Sequence, residues 1–253
     1  MSSVLQSVGR RPPAKSGYAC LRTNIFLLLI CIVPASYTCD ASMNINALNL
    51  TSGKITDAKS RQTIGTGFIV GSKRIVVTCE HVASTGEYLY EPVSYTTAPA
   101  GTKTSYPIRV ILSDSGSDLS ILAASENIAN SMLELGDFHQ LKPGDTIFYA
   151  GWVAGTSDLM ISASRIAAIG SVLNDQTTVD FLEFVGVGKP GYSGGPVFNS
   201  DGRVIAIMRE AWTKRDLKGG DAVLVNRGFS TNKLTDMIKD PPSEILGELN
   251  DQR

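Results

Sequence analysis

The sequence predicts an all-β fold, and three observations carry that expectation. From about residue 60 onward, short runs rich in β-branched and aromatic residues recur, and such residues suit a pleated, half-buried surface. Clusters of Gly, Ser, Asp and Pro break these runs at the spacing of a barrel or sandwich. No repeat of fixed period is visible, which sets aside a solenoid or propeller.

The strands fall into two groups. The first holds Thr63 to Val70, Arg74 to Thr78, Tyr106 to Leu112 and Leu119 to Ala123. The second holds Thr146 to Ala150, Leu159 to Ile169, Thr178 to Phe184, Arg203 to Arg209 and Ala222 to Phe229. Gly71-Ser72-Lys73, Pro143-Gly144-Asp145 and Ser200-Asp201-Gly202 read as hairpin turns, in which glycine supplies positive φ. Residues 126 to 142 separate the groups, with room for a short helix. Ser230 to Ile238 reads as a capped amphipathic helix closing the domain.

A chain of 253 residues with 43% apolar and 19% charged residues can bury a sizeable core, as one large domain or two small ones. The formal net charge of −1, with no basic run interleaved with aromatics, gives nucleic acid no electrostatic footing as a partner.

Residues 1–40 read as a leader. Arg10, Arg11, Lys15 and Arg22 precede the apolar run Ile25 to Val33, and Pro34-Ala35-Ser36 follows; this is the order of a secretory signal peptide. The apolar run is short for a bilayer span, so cleavage near Ala35 to Ala41 is expected, with a signal anchor as the alternative. Cys20 and Cys31 would leave with the leader. Cys39 follows Ser36-Tyr37-Thr38, faintly like a lipoprotein box but with Ser36 where that box has an aliphatic residue. A membrane tether, through the leader or a lipid on Cys39, thus stands beside a cleaved soluble product. The expected location is secreted, periplasmic or at the cell envelope. Cys79 would be the one thiol of the folded domain, so no disulfide framework is expected.

Three motifs carry chemistry: Val77-Thr78-Cys79-Glu80-His81-Val82, Ser117-Asp118-Leu119-Ser120-Ile121-Leu122, and Gly191-Tyr192-Ser193-Gly194-Gly195-Pro196. A serine hydroxyl becomes a nucleophile when an oriented base removes its proton. Ser193 is the candidate nucleophile, against the plainer reading of a small residue in a Gly-rich turn. Gly191 and Gly194 would let the chain turn so that the N–H groups of Gly191 and Ser193 form an oxyanion hole. His81 is the candidate base. The other histidine, His139, lies in the polar connection and is expected to face solvent. Asp118, at the head of an alternating apolar strand, is favoured over Asp114, which reads as a solvated turn carboxylate. Cys79 reads as a buried, inert thiol. Two isolated histidines argue against a zinc site, and no metal or organic cofactor is expected.

At these motifs the chain resembles the chymotrypsin-fold serine peptidases, most closely the trypsin-like bacterial branch that includes the HtrA proteases, over roughly residues 60 to 235. His81, Asp118, Ser193 is the chain order of that triad. The resemblance implies two six-stranded antiparallel β-barrels, about 45–125 and about 142–230, within a peptidase domain spanning 41–240, followed by a tail at 241–253. That tail is too short for the PDZ module many HtrA-like relatives carry. The resemblance also implies that His81 and Asp118 come from the first barrel and Ser193 from the second, meeting in the crevice between them.

Two departures are informative. Tyr192 replaces the Asp that receives a freed N-terminus in zymogen-activated relatives. Val187 stands six before the nucleophile, where the acid for basic specificity would be. With Gly188 it implies an apolar floor and a preference for small or medium apolar P1 residues. Met208 and Arg209 fall where the substrate-pairing strand follows the nucleophile loop, so an extended peptide would add there. The expected function is a serine endopeptidase acting on protein or peptide substrates through an acyl-enzyme. The rivals are a non-catalytic peptide-binding module and an esterase with the same residues.

Overall fold

The computed structural model describes residues 51–92, 105–154, 159–214 and 223–250. The leader at residues 1–40, Cys39 and Ala222 lie outside the described residues. Among the described residues, twelve strands build two closed antiparallel barrels. The first contains β1 (Ser52–Asp57), β2 (Thr63–Ile69), β3 (Ile75–Thr78), β4 (Glu87–Pro92), β5 (Tyr106–Asp114) and β6 (Leu119–Ala124), hydrogen-bonded in the order β1-β2-β3-β6-β5-β4. The second contains β7 (Thr146–Trp152), β8 (Leu159–Asn174), β9 (Thr177–Val185), β10 (Pro196–Phe198), β11 (Val204–Lys214) and β12 (Val223–Ser230), in the order β10-β11-β12-β9-β8-β7.

Strand alternation explains how the barrels share a core. Successive side chains on a strand point to opposite faces. On β7, Ile147 and Tyr149 join Leu182, Phe184 and Val197 inside the second barrel. The intervening Ala150 and Trp152 join Phe68, Val77 and Leu122 in the other cluster. Phe198 and Ile207 do the same, so one continuous apolar mass fills the first barrel and the seam between the two. Every residue of β6 is buried, which makes the strand that follows Asp118 a rigid support.

Nine of these strands follow the sequence expectation to within a few residues; β1, β4 and β10 do not appear in it. The connection between barrels holds only a short 3-10 turn, Phe138–Gln140. The closing helix α1 (Asn232–Lys239) buries Leu234. Its cap differs in detail: Ser230 Oγ accepts from Asn232 N at 3.1 Å, while Thr231 makes no side-chain cap bond and turns its hydroxyl to Val204 O at 3.4 Å. The stretch expected to be a plain tail forms a second helix, α2 (Ser243–Asn250). Ile245 drives it, inserting into the first-barrel core with 2% exposure.

Candidate active site

His81 is lifted to the surface by the turn that ends β3. Val82 N and Ala83 N both donate to Cys79 O, at 3.1 and 3.2 Å. Cys79 is thereby held inward, fully buried, with Sγ donating to Met208 O at 3.2 Å. His81 itself is half exposed at its side chain.

Asp118 ends a tight turn between β5 and β6, in the left-handed region at φ +50°. A non-glycine residue there is strained, and such strain persists only where the surroundings over-determine it. They do so here. Asp114 accepts from Gly116 N at 3.2 Å and binds the Ser117 hydroxyl and the Lys233 ammonium of α1. This corrects the reading of Asp114 as a solvated surface carboxylate: it pins the turn to α1. From the other barrel, Asn174 at the tip of the β8–β9 hairpin donates through Nδ2 to both Ser115 O and Gly116 O at 3.0 Å.

The Asp118 carboxylate is buried, with 5% of its side chain exposed. Oδ1 accepts from His81 N at 3.1 Å, and His81 Nδ1 lies 3.0 Å from Oδ1 and 2.9 Å from Oδ2. Arg209 Nε donates to Oδ2 at 2.9 Å. Burial pushes this carboxyl up, but the His81 hydrogen bonds, the imidazole charge and the Arg209 guanidinium outweigh it and hold the group below its ordinary range. Arg209 in turn lies over the Phe229 ring, 4.4 Å from its centroid. The Arg209 side chain faces Asp118 beside a register shift in β11 between Met208 and Glu210, while its carbonyl lies at the Ser193 hydroxyl, where the backbone pairing expected of a substrate would fall. The Met208 side chain is buried in the second-barrel core.

Ser193 sits on a loop closed by Tyr192 N to Lys189 O and Gly195 N to Tyr192 O, at 3.1 and 3.0 Å. Gly194 has φ +84°, and a Cβ there would lie 2.0 Å from Thr78 Oγ1 and 2.2 Å from Thr66 O. Gly191 has φ +100°, and a Cβ there would lie 2.3 Å from Trp152 O. Side chains are therefore excluded at both positions on two counts, backbone conformation and space.

Thr66 of β2 seats this loop, and sequence reasoning missed it. Thr66 N donates to Ser193 O at 2.8 Å, and its hydroxyl donates to Gly191 O at 2.6 Å while accepting from Trp152 N at 2.7 Å. Its flanking glycines, Gly65 and Gly67, were the available signal, since glycine inside a strand marks a close backbone approach. Thr66→Val is expected to lower stability by about 2 kcal/mol by leaving buried partners unpaired. It should also lower kcat/KM on a peptide substrate about 10- to 100-fold through misplacement of the loop. Urea unfolding and steady-state kinetics read the two effects; an unchanged kcat/KM would show that the hydroxyl stabilises the seam without setting the loop.

Among the described residues, the N–H groups of Gly191 and Ser193 make no hydrogen bond. The Ser193 hydroxyl donates to Arg209 O at 3.1 Å, and no hydrogen bond joins it to His81. Arg209 thus touches both halves of the site, its side chain on Asp118 and its carbonyl on Ser193. His139 is exposed, Nε2 lying 2.9 Å from Asn232 Nδ2. Val187 is 47% exposed, with Gly188 beside it.

Ligand atoms of Cys79, His81 and Asp118 lie within 4.8 Å of one another. The chemistry of that set does not suit a metal. Burial, with the Asp118 charge beside it, pushes the Cys79 thiol well up, and Sγ is already hydrogen-bonded to Met208 O.

Curated relatives include a probable periplasmic serine endoprotease, DegP-like, from Marinomonas sp. (strain MWYL1), 27% identical over 154 residues, covering 61% of this chain and 31% of that protein. A protein of the same description from Hahella chejuensis (strain KCTC 2396) is 28% identical over 153 residues, covering 60% of this chain and 31% of the other. The chain therefore spans about a third of the length of these relatives. Among solved structures, the HtrA-type protease AlgW with a tripeptide superposes with TM-score 0.60 at 19% identity, covering 78% of this chain and 62% of that one. The MamO protease domain from Magnetospirillum magneticum, apo form, gives 0.58 at 16%, covering 76% and 97%. These establish the two-barrel architecture. The trypsin-like peptidase domain profile matches residues 65–207, more than half of the chain and a span that includes His81, Asp118 and Ser193, and so the chain belongs to the trypsin-like peptidase family.

Proposed function

We propose that this chain is a serine endopeptidase of the periplasm or cell envelope, in which Ser193, His81 and Asp118 act together. One observation carries the reading. A buried carboxylate fixes the His81 ring through Nδ1, leaving Nε2 as the nitrogen free to take a proton.

Ser193 Oγ attacks the peptide carbonyl carbon while its proton passes to His81 Nε2. The charge that develops on the carbonyl oxygen is met by the unspent N–H groups of Gly191 and Ser193. Collapse of the tetrahedral species breaks the C–N bond, and the amine leaves with the proton returned by His81. Water, deprotonated by His81, then hydrolyses the serine ester. Asp118 holds the ring in one tautomer and stabilises its charged form.

Substrate docking follows from β11. That strand pairs with β10 through Val204 to Ile207, and Met208 goes on to bond Gly195 O and Gly194 N at 2.8 Å, so among the described residues its edge opens only from Arg209. An extended peptide adds there, and its N–H competes for Arg209 O. Taking that carbonyl releases the Ser193 hydroxyl to turn toward His81. The apolar P1 preference expected from Val187 and Gly188 stays part of this proposal, Val187 being 47% exposed and so able to meet a substrate side chain.

The test is labelling of the purified chain with a fluorophosphonate probe, followed by mass mapping. Modification confined to Ser193, abolished in His81→Ala, is the expected result. No labelling in the wild type would favour the non-catalytic peptide-binding reading, in which Ser193 stays on Arg209.

A further inference from the structure

Asp118 Oδ2 is shared between a base and a cation. His81 Nδ1 lies 2.9 Å from it, and Arg209 Nε donates to the same oxygen at 2.9 Å. A hydroxyl or an amide would suffice to give that oxygen a second hydrogen bond. A guanidinium brings a full charge as well, because arginine keeps its proton in proteins.

That charge is held in place from the outer face of the second barrel. Between Ala206 and Lys214 of β11, Arg209 alone has no partner in the register with β12, and a residue left out of the ladder can aim its side chain elsewhere. Its neighbour Glu210 stands opposite Arg227 of β12, which in turn stands opposite Glu183 of β9. Arg227 Nη2 donates to Glu183 Oε1 at 2.7 Å, and Nη1 donates to Glu210 Oε1 at 3.1 Å. The Arg227 guanidinium also packs on the rings of Phe181 and Trp212, 4.3 and 4.6 Å from their centroids, which fixes its plane. Glu210 Oε1 then lies 3.7 Å from Arg209 Nη1. Glu183, Arg227, Glu210, Arg209 and Asp118 thus form one row of alternating charge that ends at the His81 ring. Exposed ion pairs add little to stability, so the row is better explained by where it holds Arg209.

We propose that Arg209 is a positioning residue whose charge, rather than its hydrogen bond, sets how far into acid the site stays active. The proposal rests on the serine endopeptidase reading above. A carboxylate serving His81 alone would hold the protonated ring firmly, and a protonated ring cannot take the Ser193 proton. A cation on the same oxygen weakens that hold, so more acid is needed to silence the base. The other titratable or charged groups around this pair are Cys79 and Glu80 from the β3 turn, Asp175 from the β8–β9 hairpin, Glu210, and Asp114 with its partner Lys233. Glu80, Asp175 and Glu210 line the same cleft as His81 and Asp118. As acids they favour a charged ring, and Arg209 opposes them.

The experiment is the rate of fluorophosphonate labelling at Ser193 as a function of pH, for the full chain and for Arg209→Gln, Arg209→Lys and Arg209→Met, each checked by thermal unfolding. Glutamine keeps a donor and loses the charge, whereas lysine keeps the charge. Methionine keeps an apolar stem against Phe229 and stands in should the glutamine variant fail to fold. In Arg209→Gln the pH of half-maximal labelling should rise by about one unit, so that labelling at about pH 5 falls about 10-fold relative to the variant's own alkaline plateau. Arg209→Met should give the same rise. Arg209→Lys should keep its midpoint within about 0.3 unit of wild type, because the charge remains. An unshifted midpoint in the neutral variants, whatever their plateau, would reduce Arg209 to a structural prop and overturn the proposal. An equal shift in Arg209→Lys would assign the effect to the hydrogen bond and overturn it too. No labelling of the wild type at any pH would overturn the endopeptidase reading on which the proposal rests, so the two failures are distinct.

Discussion

Ser193→Ala is expected to abolish turnover, lowering kcat on a fluorogenic peptide by on the order of 10⁶-fold, because removing the nucleophile disables the whole acyl-transfer unit. The substitution deletes one oxygen from a half-buried side chain whose hydrogen bond is to Arg209 O. The loop is held by backbone bonds and by Thr66, so the fold and peptide affinity should persist. Thermal unfolding within a degree or two of wild type, together with peptide binding to the inactive variant, would assign the loss to chemistry. Residual hydrolysis above that of water is expected from the oxyanion donors and substrate binding alone. Retention of substantial activity would move the nucleophile elsewhere.

Asp118→Asn should lower kcat by about 10⁴-fold, since an amide in place of the carboxylate favours the wrong imidazole tautomer and cannot stabilise the charged ring. Here the effect extends to stability, because Arg209 also depends on this carboxylate. The sign of the pH dependence follows from the depressed folded-state value of Asp118. A carboxyl held low when folded contributes fully above its unfolded value, about 4. The contribution then fades as pH falls through the lower folded value. The urea midpoint of Asp118→Asn should therefore lie below that of wild type at pH 7 and converge with it under acid conditions. A constant gap across that range would show that the carboxylate charge is not what the turn relies on.

Much of the fold was legible because its strands bury alternate or continuous apolar residues. The strands that were not legible lack that signature. In β1, Ser52-Gly53-Lys54-Ile55-Thr56-Asp57, a single large apolar residue, Ile55, enters the core, and the strand is held by neighbours on both sides. In β4, flanking glutamates and a closing proline hide Tyr88-Leu89-Tyr90. The three residues of β10 read as the exit of the nucleophile loop. Of the candidate site, local motifs single out His81, Asp118 and Ser193 as candidates, and the structure joins His81 to Asp118. Their supports were not legible, because Thr66, Asn174 and Arg209 act across 125, 59 and 91 positions of sequence.

The long hairpin of the second barrel reaches well past what closing that barrel requires, and its far end props the very turn of the first barrel that presents a carboxylate. Each half of the molecule thus holds up chemistry that belongs to the other. Under the proposed function, loosening the seam would disturb the Ser193 loop and the Asp118 turn together, since each is held by the opposite barrel.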